Sequence, residues 1–299
     1  MIDAGLLRRW RLPDLDPEQG KEERGRVLVV GGSRQVVGAV LLTGLAALRA
    51  GAGKLQLATV ASVAPALGIA VPEARVIGLP EKRDGELAHD AWRKLDDEVR
   101  RCRALVLGPG VHDPTAVIRL FERSAAREDS APLIVDGAAL QLFAGYRGRH
   151  RARVVATPHA GEMATICGTT SDAVRARPLA LALETAERLG IVVAMKGART
   201  IVAAPDGRAF ENRAGNLGLG TSGSGDTLSG ILAGLCARGA DPLQATVWAV
   251  HLHALAGEAL GRRVAPLGFL AREIPDEIPR LLARLSSAAP RRRTRRSAG

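Results

Sequence analysis

Seven short runs of Val, Leu, Ile and Ala, at residues 26–31, 55–59, 74–79, 104–107, 133–135, 153–156 and 191–194, alternate with stretches of helical spacing through most of this chain. The helical stretches between them fall at 37–52, 62–68, 87–101, 114–127 and 172–189. Apolar runs without polar alternation are what strands buried on both faces look like, and strand–helix–strand order builds a parallel sheet with helices on its faces. Pro205-Asp206-Gly207, between strand-like runs at 200–204 and 208–211, signals a β-hairpin. Helical stretches at 226–238, 242–260 and 269–284 follow. The expectation is an α/β protein of three layers, αβα, with a central mostly parallel sheet and a hairpin near residues 200–211. Aromatics are only 3% of the 299 residues against 46% hydrophobic, so the core has to be built from small aliphatic side chains. The expected organisation is a lead-in over 1–24 with a short helix near its start, one large domain over 25–286, and a basic, disordered tail over 287–299.

The net charge is +11, and Arg291-Arg292-Arg293-Thr294-Arg295-Arg296 supplies five of those charges. A single Tyr and four Phe offer few rings for stacking on nucleobases, which argues against a nucleic-acid partner. The remaining charge reads as an Arg-rich surface suited to anionic small molecules. No run of 18 apolar residues is present, so no membrane span is expected, and residues 1–20 lack the apolar centre of a signal peptide. Cys102, Cys167 and Cys236 are far apart and odd in number. That argues against a disulfide framework or a Cys-based zinc site and makes the reducing cytoplasm the expected setting.

In open α/β sheets ligands bind beyond the carboxyl ends of the strands. Here the runs lead into Gly31, Gly110, Asp136, His159 and Lys196, which the fold would collect along one edge. The segment from Gly215 to Thr227 holds five glycines, four hydroxyls and one carboxylate, and it heads a helix. Glycines let main-chain N–H groups turn inward, and the helix aims its positive end at the same spot. Thr221, Ser222, Gly223, Ser224 and Gly225 are therefore the expected anion hole. Asp226 is itself an anion and does not help to bind phosphate. It is better explained as a base that takes a proton from a hydroxyl about to attack a bound phosphoryl group; a helix cap in a flexible loop is the alternative.

Other segments allow two readings each. Lys196-Gly197-Ala198-Arg199-Thr200 follows a strand and can meet a nucleotide phosphate or ribose, or can be an ordinary turn with a solvated Lys. His159, after the turn-fixing Pro158, can hydrogen-bond a substrate amide or hydroxyl, or simply cap a helix. Gly31-Gly32-Ser33 with Gly38-Ala39, and Gly108-Pro109-Gly110, leave room for a flat ligand or mark tight turns. Gly218-x-Gly220-x-x-Gly223 matches a dinucleotide fingerprint but lacks the preceding strand, and Gly51-Ala52-Gly53-Lys54 lacks the leading glycine and the Ser/Thr of a P-loop. His251 and His253 are two apart on a helix, a spacing wrong for joint metal ligation, and read as packing or structural hydrogen bonds. No metal site is expected from these residues.

Taken in order, Gly31-Gly32-Ser33…Gly38-Ala39, Ala46 to Gly53, Gly108-Pro109-Gly110, Thr157-Pro158-His159-x-Gly161-Glu162, Lys196-Gly197-x-x-Thr200, Gly215-Asn216 and Gly220-Thr221-x-Gly223-x-Gly225-Asp226 form a pattern. It resembles that of the ADP-dependent NAD(P)H-hydrate dehydratases, a branch of the ribokinase-like fold, from about residue 24 to 285. The resemblance implies phosphorylation by ADP of the hydroxyl on the S epimer of hydrated NADH or NADPH, then loss of phosphate to restore the dihydropyridine. AMP and phosphate are the other products, and some relatives take ATP. It implies Asp226 as the base, with Ala39, Gly110, His159 and Asp226 contacting the hydrated dinucleotide. It also implies AMP contacts from Lys196 to Thr200 and Gly225, Mg2+ accompanying the nucleotide, a homotetramer, and a separate epimerase supplying the S form. The chain departs from the family pattern in three places. Val36 and Val37 stand where an aromatic is frequent, Asp136-Gly137-Ala138 lacks a second carboxylate, and Ser222 replaces a frequent Gly. A ribokinase-like vitamin-precursor kinase would share the glycine loop and Asp226, and a polyanion-binding protein would work through the Arg tail instead.

Overall fold

The computed structural model describes residues 1–14, 18, 20–146 and 153–286, so the basic tail lies outside the described residues. The chain runs α1 (Ala4–Arg9), β1 (Arg26–Val30), α2 (Gly38–Arg49), β2 (Lys54–Val60), α3 (Ala64–Ala70), β3 (Ala74–Leu79), α4 (Asp96–Arg101), β4 (Ala104–Leu107), α5 (Thr115–Ala125), β5 (Leu133–Val135) and β6 (Val154–Ala156). It continues α6 (Ala160–Cys167), α7 (Ser171–Ala176), α8 (Pro178–Leu189), β7 (Val192–Met195), β8 (Thr200–Ala203), β9 (Ala209–Asn212), α9 (Ser224–Ala237), α10 (Pro242–Arg263) and α11 (Ile274–Ser286). The strands form one sheet in the order β3-β2-β1-β4-β5-β6-β7-β8-β9. Pairing is parallel from β3 through β7 and antiparallel for β8 and β9, the hairpin expected around Pro205-Asp206-Gly207.

Alternate residues of each strand feed two cores. Val27 and Val29 point into the layer of α2, α9, α10 and α11, while Leu28 and Val30 point into the layer of α5, α6 and α8. Small residues let the first layer close tightly. A Cβ on Gly230 of α9 would stand 2.1 Å from the carbonyl oxygen of Thr43 on α2, and one on Gly234 would stand 2.4 Å from that of Ala47. The two helices thus touch backbone to backbone, which is how a chain so poor in aromatics fills its interior. The lead-in joins this layer: Leu7 is fully buried, Trp10 stacks near Phe210, and the Ile2 amide donates to the Glu211 carbonyl.

Two helical expectations need correction. The stretch 87–101 is not one helix: Glu81 and Leu87 form an antiparallel bridge, a 3-10 turn covers Ala91–Leu95, and only Asp96–Arg101 is α-helical. Leu87, Ala91 and Leu95 are buried as the spacing suggests, but residues 87 and 88 spend their backbone on Pro80 and Glu81. The stretch 172–189 breaks at Arg177 (φ −132°, ψ 51°), because Pro178 disfavours helical backbone in the residue before it. Among the described residues no helix is long and apolar enough to cross a membrane.

The parallel register fixes where the strands end together. Val30, Leu107, Val135 and Ala156 lie side by side, so the following residues, Gly31, Gly108, Asp136 and Thr157, share one edge. Gly108 holds that edge closed. Its φ is +108°, and a Cβ there would stand 2.1 Å from the Asp136 carbonyl oxygen. Gly108→Ala is expected to destabilise the fold by about 2 kcal/mol or more, read as a lowered urea midpoint with an unchanged slope.

Candidate active site

The glycine-rich loop ends in a tight turn that the sequence dictates. Gly223 caps α9 with φ +87°, a conformation that side-chain-bearing residues resist, and a Cβ there would stand 2.4 Å from Leu42 Cδ1. Ser224 donates its amide to the Thr221 carbonyl, and the Thr227 amide returns to the Gly223 carbonyl, closing the first turn. Among the described residues no acceptor within the protein takes the N–H groups of Ser222, Gly223, Gly225 or Asp226. They are free donors at the positive end of a helix of 14 residues. Ser224 is the exception in the expected anion hole: it is buried, its amide is spent, and its hydroxyl and carbonyl oxygens each lie 3.0 Å from His253 Nε2. Burial pushes His253 down to about 4, against the Ser224 hydrogen bond, so a neutral imidazole from α10 braces the turn. His251 pairs with Asn212 at 2.8 Å. Both histidines have the structural role expected of them.

Asp226 lies in this first turn, partly buried. Burial, then the neighbouring Asp136 carboxylate, push its carboxyl up to about 7 against the pull of Lys196. It has no ion-pair partner among the described residues, which suits a group meant to exchange a proton. Lys196 reaches the turn from the end of β7. Its Nζ lies 3.0 Å from Asp136 Oδ1 and 3.8 Å from Glu162 Oε2, and a Cβ built on Gly225 would stand 3.3 Å away. Burial works against the ammonium, but Asp136, Glu162 and Asp226 together outweigh it and raise Lys196 above its ordinary value. Burial likewise works against the Asp136 carboxylate, and the Lys196 charge with the Ser229 hydrogen bond holds it below the usual range. Glu162 is raised by burial despite Lys196.

His159 caps α6. Its Nδ1 accepts from the Gly161 and Glu162 amides at 3.0 and 3.2 Å, and Glu162 returns a bond from the His159 amide at 2.8 Å. The capping reading of His159 therefore holds through Nδ1, while the side chain as a whole stays 60% exposed with its Nε2 3.6 Å from Glu162 Oε1. A backbone bridge links His159 to Lys196. Ala39 and Gly110 also meet, since a Cβ on Gly110 would stand 3.0 Å from Ala39 Cβ and 2.2 Å from the Val36 carbonyl oxygen.

The Lys196–Thr200 run divides. Lys196 turns into the sheet edge, while Arg199 pairs with Glu211 along the hairpin at 3.5 Å and is 66% exposed. Thr200 stays local, its hydroxyl donating to the Gly197 carbonyl. Sequence reasoning put Asp136 on the ligand edge and Glu162 in the His159 motif without giving either a role, and it did not name Ser229. Asp136 ends a strand on the ligand edge and Ser229 follows Asp226 by three helical positions, so spacing held a signal for both. Nothing local marks His253 as the brace of the turn.

A solved ribokinase-like superfamily protein from Enterococcus faecalis has the same architecture, with a TM-score of 0.82 and 26% identity over 95% of each chain. The NAD(P)H-hydrate dehydratase family model matches residues 27–280, and the chain belongs to that family. An ADP-dependent (S)-NAD(P)H-hydrate dehydratase of Xanthomonas campestris pv. campestris is 49% identical over 288 residues, 95% of this chain and 96% of that protein. The ADP/ATP-dependent NAD(P)H-hydrate dehydratase of Bacillus subtilis, crystallised with ATP and Mg2+, is 31% identical with a TM-score of 0.80, over 95% of this chain and 97% of that one.

Proposed function

We propose that this chain restores NADH and NADPH from the S epimers of their hydrates at the expense of ADP, releasing AMP and phosphate. The observation that carries the reading is the Asp226 carboxylate, raised to about 7, in the first turn of a helix whose free N–H groups can bind an anion. Asp226 takes the proton of the ring hydroxyl as its oxygen attacks the β-phosphoryl group of ADP. The N–H groups of Gly223 and Gly225, with that of Ser222, stabilise the charge on the transferred group, and Lys196 neutralises the nucleotide phosphates. The bond between the ring carbon and the phosphorylated oxygen then breaks with release of inorganic phosphate, the neighbouring ring carbon gives up a proton to solvent, and the ring double bond re-forms. Gly197, Ala198, Arg199 and Thr200 line the nucleotide's side, and Ala39, Gly110 and His159 the dinucleotide's side.

Among the described residues no group of three or more His, Cys, Asp or Glu side chains is placed to hold a metal. An Mg2+ ion arriving on the nucleotide needs only one or two protein oxygens besides phosphates and water, and Glu162, a half-buried carboxylate beside Lys196, would supply one. When bound, such an ion supplies charge neutralisation on the phosphates. A homotetramer, a separate epimerase for the R form and a cytoplasmic setting belong to the same proposal; three unpaired cysteines support the last.

The test is incubation of the purified chain with the S hydrate of NADH or NADPH and with ADP or ATP in parallel. Return of dihydropyridine absorbance with stoichiometric AMP is expected with ADP. A stable phosphorylated product would make the chain a kinase, and no turnover with either nucleotide overturns the reading. Because the base must be ionised, kcat should rise with pH through about 7 and level off above it, reporting the raised Asp226 carboxyl.

A further inference from the structure

Asp136 has a place in the site that the reaction above does not use. It stands at the end of β5, in the middle of the sheet, 5% exposed, with both oxygens engaged. Oδ1 lies 3.0 Å from Lys196 Nζ, and Oδ2 accepts from Ser229 Oγ at 2.7 Å. Ser229 sits one helical turn beyond Gly225 on α9, and a Cβ on Gly225 would be 3.8 Å from Asp136 Oδ2. One carboxylate thus joins two strand ends to the helix that carries the anion-binding turn. Four groups surround the Lys196 ammonium: Asp136 from β5, Glu162 from α6, Asp226 from α9 and neutral His253 from α10. Glu162 is 3.8 Å away and already accepts from the His159 amide, so the short contact to Asp136 decides where Nζ rests.

We infer that Asp136, clamped by Ser229, is the positioning residue that holds Lys196 against the Gly223–Gly225 turn, where its ammonium meets the bound phosphoryl group instead of pairing with Asp226. The inference rests on the proposed reaction for the identity of that anion. Geometry alone argues for the clamp. Without Asp136 the nearest remaining carboxylates are Glu162 and Asp226, and an ammonium drawn to Asp226 would occupy the base.

Asp136→Asn, Lys196→Met and the double variant test this, with kcat, KM for ADP and pH profiles measured beside the wild type. Asp136→Asn is expected to lower kcat by about 10²-fold, the cost of a group misplaced by about 1 Å, and to raise KM for ADP. The acid limb of its kcat profile should move to lower pH, because Asp226 loses a negative neighbour and gains Lys196. The double variant should be no slower than Lys196→Met alone; losses that multiply overturn the inference. If Asp136→Asn does not fold, Ser229→Ala takes its place in the cycle. It is expected to raise KM for ADP, with no added effect on top of Lys196→Met, and wild-type behaviour would overturn the inference. A wild type inert toward the hydrates sinks the proposed reaction instead, and calorimetric ADP affinity across the same cycle then decides on the clamp by itself.

Discussion

Asp226→Asn is expected to reduce kcat by about 10²–10⁴-fold, the range a general base contributes, while ADP binds within a few-fold of its wild-type affinity. Asn keeps the shape and leaves the N–H groups of the turn in place, so the proposed phosphate contacts survive. What it removes is the carboxylate proposed to accept the hydroxyl proton. The same substitution should stabilise the protein, and the sign follows from the raised carboxyl. A group held at about 7 in the fold and near 3.8 in the unfolded chain costs nothing well below pH 3.8, where it is protonated in both states. As pH rises through 7 the fold must carry a buried charge beside Asp136 that the unfolded chain solvates freely. The variant should therefore unfold at higher urea than the wild type at pH 8, by on the order of 2–4 kcal/mol, with the gap closing toward pH 4. Near-normal turnover would move the base elsewhere. A variant no more stable than the wild type at pH 8 would mean that the carboxyl is not raised.

The fold was legible because its information is periodic. Six buried strands and the half-buried edge strand β3 wrote themselves as apolar runs, and Pro205-Asp206-Gly207 marked the hairpin by turn chemistry alone. The glycine-rich loop was legible because its turn needs glycine: Gly223 has φ +87°, and a Cβ there would stand 2.4 Å from Leu42 Cδ1. Boundaries set by tertiary partners were not legible. Leu87 has helical spacing to Ala91 and Leu95, yet a strand-like bridge to Glu81 takes its backbone, and nothing within 87–101 reports the partner. The site shows the same division. Asp226, Lys196 and His159 stood out by position within short motifs. Asp136, Ser229 and His253 act through neighbours 60, 93 and 29 residues away, distances across which one sequence carries no pairing signal.

Lys196→Met draws on that hidden layer and has the second large effect expected. Asp136 is 5% exposed and relies on the ammonium at 3.0 Å, so removing it leaves an uncompensated buried carboxylate and should cost about 3–5 kcal/mol. The pH dependence distinguishes this from lost packing. Asp136 is held below the usual carboxylate range by its partner, so its stabilisation is present above the unfolded carboxylate value and lost as pH falls. Lys196 is held above its ordinary value, so its share is lost only as pH rises through that raised value. The deficit of the variant should accordingly be flat across neutral pH and shrink in acid, where Asp136 protonates. A methionine that merely packs badly would give a deficit independent of pH. Adding Asp136→Asn should recover most of the stability lost by Lys196→Met, since the amide needs no counter-charge and still meets Ser229. ADP affinity should not recover with it, because the fold needs the pair neutralised, whereas the nucleotide's phosphates need the ammonium itself.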